Sequence, residues 1–158
     1  MYQKIVLAFD GTKQGRLALR DGANIAALCK AETHLIAVMR GPSDIALAEG
    51  VYPVEALRAE QESVRLIIEE GLARLRDRGL MATGHLAFGE PVDRISQLVN
   101  QIGADLLVVG HQKEGALQRW WRGSVGHSLL DLVNCSLLIV IPNTKSIKAA
   151  EQDAGNPG

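Results

Sequence analysis

Short apolar runs alternating with longer stretches of helical periodicity constrain this chain more than any other feature. "KIVLAFD" (residues 4–10) is compact, apolar and partly β-branched, and reads as a buried strand. The next stretch places Leu17, Ala18, Ala23, Ile25, Ala26 and Leu28 on one helical face. "THLIAVM" (33–39) is a second strand, and Gly41, Pro42, Gly50 and Pro53 break the following segment into loop. From 54 to 79, Leu57, Val64, Ile67, Ile68, Leu72 and Leu75 recur at helical spacing with charges between them. "ATGHLAFG" (82–89) is a weaker strand. "EPVDRISQLVNQIG" is a helix with Pro91 near its first turn and Gly103 past its end. "DLLVVG" (105–110), a helix over 123–133 and "SLLIVI" (136–141) complete the pattern, with no internal repeat.

Strands alternating with helices predict βαβ crossovers and a mostly parallel sheet covered on both faces. The nearly continuous apolar character of residues 5–9, 106–109 and 137–141 agrees, because strands buried on both faces show no polar alternation. The expected fold is one α/β domain over residues 1–142, a doubly wound five-stranded parallel sheet of order 3-2-1-4-5 with helices on both faces. A length of 158 residues with 47% hydrophobic composition suits a single core. The polar residues 143–158 are expected to form a disordered tail.

The net charge of −1 gives no global attraction for nucleic acid or an acidic membrane, and neither is expected as a partner. No apolar stretch approaches the ~20 residues that span a bilayer. The first four residues run directly into the first strand with no cleavage-site pattern, so a cytoplasmic location is expected. Cys29 and Cys135 lie far apart in apolar surroundings and are expected to be buried free thiols.

In sheets of this kind, ligands bind beyond the carboxyl ends of the strands, where the strand order reverses. Two strand ends carry suitable chemistry. Asp10-Gly11-Thr12 follows the first strand, and "GHQKEGALQRWWRGSV" (110–125) follows the fourth. Glycine permits close backbone approach. A Gly-Ser helix start exposes N–H groups and a positive dipole end, worth roughly 0.3–1 kcal/mol to an anion. Lys113, Arg119 and Arg122 add positive charge. The same residues equally describe a corner in which Gly110 ends a strand and Ser124 caps a helix, and local features leave the two open.

Taken together, these motifs resemble the universal stress protein family, whose nucleotide loop reads G-x2-G-x9-G-[ST]. Gly110 supplies the first position, and Gly123 and Ser124 supply the last two at the right spacing. "AFDGT" is similar to the family's strand-one Asp-Gly-Ser/Thr, "GEPVDRISQLVNQIGADLLVVG" to its helix-then-strand segment and "CSLLIV" to its last strand. The similarity extends from about Lys4 to Pro142. It implies a five-stranded parallel sheet, and homodimers commonly formed through the last strand, here Ser136 to Ile141. It also implies, in some members, ATP or another adenine nucleotide, with AMP and cyclic nucleotides left open. In binding members the matching residues are Asp10 and Val38 for the adenosine end, and Gly110, Gly123, Ser124 and Val125 for ribose and phosphates. Two positions depart from the pattern. Lys113 stands where the second glycine falls, either obstructing the phosphate space or binding a phosphate itself, with Gly115 two residues later. Gly126 replaces a small hydroxyl residue.

Other residues weigh less. Adjacent residues on a helix point roughly 100° apart, so at most one of Trp120 and Trp121 covers a ligand, and packing is the expected role of the pair. His111 and His127 flank the loop as candidate phosphate contacts or pH-sensitive groups. No carboxylate or cysteine pattern accompanies them, so no metal site is expected. His34 and His85 are expected to be structural or edge-exposed. The charged face from Arg58 to Arg78 is expected to be the solvent side of its helix. The functional expectation is a small regulatory nucleotide-binding protein acting through protein partners in stress physiology. At most it is a slow ATPase, since no residue stands out as a general base. "AFDGTKQG" lacks the Ser-Gly-Gly-x-Asp-Ser loop of pyrophosphatase-loop enzymes. "LAFGEP" and "VIPN" lack the aspartate and lysine of a receiver domain. A nucleotide-free dimeric scaffold with a degenerate loop is the alternative.

Overall fold

The computed structural model describes residues 1–41, 48–51, 53–111 and 128–141. The element order is β1 (Lys4–Ala8), α1 (Lys13–Cys29), β2 (Glu32–Met39), α2 (Val54–Asp77), β3 (Ala82–Phe88), α3 (Pro91–Ile102), β4 (Leu106–Gly110), α4 (Leu129–Leu132) and β5 (Ser136–Val140). The five strands form one sheet of order β3-β2-β1-β4-β5. Every pairing is parallel: Ile5 lies opposite Thr33 on one side and Leu106 on the other, Ile36 opposite His85, and Val108 opposite Leu138. The chain winds outward from β1 to β3, then returns across β1 to β4, so the order reverses between β1 and β4.

Two cores sandwich the sheet. The pleat sends Ile5, Leu7 and Phe9 to one face, where they meet Leu19, Ala23 and Ala26 of α1 and Ile68 and Leu75 of α2. It sends Val6 and Ala8 to the other, against Val92, Ile95 and Val99 of α3 and Leu129 of α4. The central strands therefore contain no polar residue between Ile5 and Phe9 or between Leu106 and Val109. α1 starts where Thr12 Oγ1 accepts the Gly15 N–H at 3.0 Å, and Pro91 opens α3, where its missing N–H costs nothing.

The expected α1 face holds for Leu17, Ala18, Ala23 and Ala26, but Leu28 is 80% exposed, because it falls on the outer side of the helix with exposed Asn24. Both cysteines are free and half-buried. Burial raises the Cys135 thiol pKa. Among the described residues no helix is long and apolar enough to cross a membrane. The expectations for Lys113, the two tryptophans, Arg119, Arg122, His127 and the 143–158 tail lie outside the described residues, as do Gly123, Ser124 and Val125.

Candidate functional site

Asp10 follows the last residues of β1 and turns its carboxylate back over the start of α1. Its Oδ1 accepts the Thr12 N–H at 3.0 Å and the Thr12 hydroxyl at 2.6 Å. The same hydroxyl oxygen caps the helix, so one short network fixes both the acid and the helix N-terminus. Gly15 completes it: a side chain there would run into Asp10 Oδ1 and Thr12 Oγ1. Nothing in the sequence marks Gly15 for this role, because a glycine inside a helix gives no signal of what crosses above it.

Asp10 and Val38 come together. They line one open cleft of about 340 Å³ beyond the carboxyl ends of β1 and β2. Met39 and Arg40 continue its β2 side, Glu60, Ser63 and Val64 supply the α2 wall, and Pro91 closes it at α3. Arg40 reaches toward Glu90 at 3.7 Å. Most of the charged face of the long helix is exposed, as expected, and Glu60 and Glu70 are its half-buried exceptions. Glu60 turns a buried Oε2 inward, and Glu70 joins α2 to α1 by accepting from Arg16 Nε at 2.6 Å and Nη2 at 3.2 Å, with Arg74 at 2.8 Å. Those hydrogen bonds, Arg16 first, hold the Glu70 carboxyl below its ordinary pKa. Glu60 and Ser63 sit three residues apart and hence share a helix face. That spacing is the only signal the sequence carries for them, and the charges around it mask it.

Gly110 ends β4 on the other side of β1. A Cβ there would lie 2.9 Å from the Gln14 carbonyl oxygen and 3.3 Å from Ala18 Cβ, so only glycine lets β4 close against the first turn of α1. His111 follows, its N–H donated to the Val140 carbonyl at 2.8 Å, and its Nδ1 is buried with no hydrogen-bond partner among the described residues. Among the described residues no three His, Cys, Asp or Glu side chains converge as a metal cluster would require. The arrangement offers a carboxylate, an apolar strand edge and a polar helix wall around one opening, beside the point where the strand order reverses. That is the setting in which open α/β sheets bind ligands.

The universal stress protein family model matches residues 1–140. Universal stress protein YxiE of Bacillus subtilis is 29% identical over 147 residues, covering 89% of this chain and 99% of its own length. Two solved structures share the fold. A universal stress protein in complex with cAMP superposes with a TM-score of 0.66 at 24% identity, over 88% of this chain and 97% of that one. The universal stress protein from Archaeoglobus fulgidus in complex with dAMP gives 0.64 at 18% identity, over 87% and 97%.

Proposed function

This chain belongs to the universal stress protein family, and from that premise we propose that it is a cytoplasmic regulatory protein that binds an adenine nucleotide in the Asp10–Val38 cleft. The observation that carries the reading is the convergence of these two residues, from separate strands, on one opening. A volume of about 340 Å³ is at the lower end of ligand sites, roughly 300–1,000 Å³. It suits the nucleoside half of a nucleotide, with the phosphates extending across β1 toward Gly110; by the family resemblance Gly123, Ser124 and Val125 are the matching phosphate contacts. Two solved relatives hold cAMP and dAMP, which share the adenine ring. ATP and AMP are the ligands to try first. The protein acts through protein partners, with no more than slow ATP hydrolysis.

The second reading, a nucleotide-free scaffold, is favoured by Lys113 in place of a loop glycine. Calorimetric titration of ATP and AMP separates the two. Wild type binds, and Asp10→Ala weakens binding about tenfold or more, the scale of one charge-assisted hydrogen bond. Lys113→Ala weakens binding by a similar factor if the lysine holds a phosphate, whereas Lys113→Gly strengthens it if the lysine obstructs the loop. No heat of binding in any folded variant leaves the scaffold.

We also propose a homodimer through Ser136 to Ile141. β5 is an edge strand, yet Leu137, Leu138, Ile139 and Val140 are only half-buried and Ile141 is 61% exposed. An apolar unpaired edge is a template for another chain.

A further inference from the structure

Away from the cleft, β2 and β3 are joined by two histidines. His34 Nδ1 lies 2.9 Å from His85 Nε2, and His34 Nε2 lies 2.9 Å from Glu32 Oε1. His34 is 6% exposed. His85 is half-buried and lines a groove of about 380 Å³ between β3 and α3.

The proton positions follow from donor and acceptor chemistry. An ionised carboxylate only accepts, so His34 Nε2 carries a proton toward Glu32. Neutral His34 then has a bare lone pair at Nδ1, and His85 Nε2 donates to it across the strands. One added proton is accommodated: His34 becomes an imidazolium donating from both nitrogens, Glu32 balances its charge, and His85 accepts as its other tautomer. A second added proton is not. Two N–H groups would then face each other at 2.9 Å on two charged rings, one of them buried.

Among the described residues, the surroundings offer the second proton no relief. Lys4 of β1 stands 4.0 Å from Glu32 Oε2 and shares that carboxylate. On the α3 side, the groove beside His85 is lined by Arg94, Gln97 and Gln101, a cation and two neutral amides. The opposite face of β3 meets Leu72 and Ile68 of α2 at Gly84. A zinc site takes at least three protein ligands, and two imidazole nitrogens do not make one.

We propose that the His34–His85 pair is an acid-responsive latch fastening the edge strand β3 to β2. Among the described residues β3 has β2 as its only strand partner, so a hydrogen bond broken between the two strands has no replacement there on the outer edge of β3. Desolvation, and then the charge on His34, lower the His85 pKa from its ordinary 6.5. The folded state thus resists a proton that the unfolded chain accepts. The stabilisation is complete above pH 6.5 and is lost as the pH falls below it.

Amide hydrogen exchange on the whole protein at pH 7 and pH 5, expressed as protection factors, tests the latch. In wild type, β3 protection relative to β1 should fall severalfold at pH 5, because the folded state takes up the His85 proton less readily than the unfolded chain does. In His85→Gln, whose amide donates to His34 Nδ1 but takes no proton, that fall should vanish. Imidazole nitrogen shifts of wild type give a second readout that needs no variant to fold: two separated steps, with His85 titrating below 6.5. Equal β3 protection at the two pH values, or two rings titrating independently at the ordinary histidine pKa, would overturn the proposal.

Discussion

At the scale of single residues, Asp10 is fixed by Thr12 at the mouth of the cleft, and Gly110 sets how closely β4 packs on α1. Asp10 and Gly110 are legible as strand-end residues, Val38 is implied only by the family resemblance, and Asp10 and Val38 meet in one cleft. Gly110 meets a packing need: its missing Cβ lets β4 approach the Gln14 carbonyl oxygen. Gly110→Ala should therefore cost about 1–3 kcal/mol as overpacking. At roughly 2–4 °C per kcal/mol for a domain of this size, thermal unfolding should drop by several degrees. Gly41→Ala, where nothing among the described residues lies within 4 Å, serves as the unshifted control. Equal melting of the two variants would mean that β4 and α1 part without cost. Gly15, Glu60 and Ser63 are not legible as site residues, because what they touch comes from elements distant in sequence.

At the scale of elements, hydrophobic periodicity locates every described strand to within two residues, since the strands are the most apolar segments. It gives most of the polar face of α2 correctly as solvent-exposed, but not what that face does. That face makes the Arg16–Glu70–Arg74 bridge to α1, and a bridge between helices leaves no trace in the periodicity of either one. Glu70 titrates below its ordinary 4.5, so its contribution is present above that pH and is lost as the pH falls below it. The pair is partly solvated, with side chains 41% and 32% exposed. Glu70→Gln should accordingly cost no more than about 1 kcal/mol at pH 7. The gap from wild type should narrow when the pH is taken from 7 to below 4.5. Urea midpoints at the two pH values read this directly, and a gap that persists in acid would assign the loss to packing instead of charge.

At the scale of the whole molecule, the two sheet edges differ. β3 interrupts its apolar residues with Thr83, Gly84 and His85, whereas β5 runs Leu137, Leu138, Ile139 and Val140 without a polar break. The polar interruption at β3 explains why that strand reads weakly in the sequence. The unbroken β5 edge motivates the dimer. Sedimentation at tens of micromolar, an order-of-magnitude choice for a typical dimer affinity, should show a dimer for wild type and a folded monomer for Ile141→Asp. A monomeric wild type would exclude that interface.

The sequence by itself determined the class of fold and the order of its elements. Burial on both sheet faces demands unbroken apolar strands, and the helices between them demand a 3.6-residue period; both are local patterns written along the chain. It also marked Asp10 and Gly110 as strand-end residues beside the reversal in strand order. Only the tertiary structure decided which side chains share a space: Glu60 and Ser63 with Asp10 and Val38, Glu70 with Arg16, and His34 with His85. Those meetings depend on strand register and on how helices lie across the sheet. Both are set by packing between segments tens of residues apart, which no local period records.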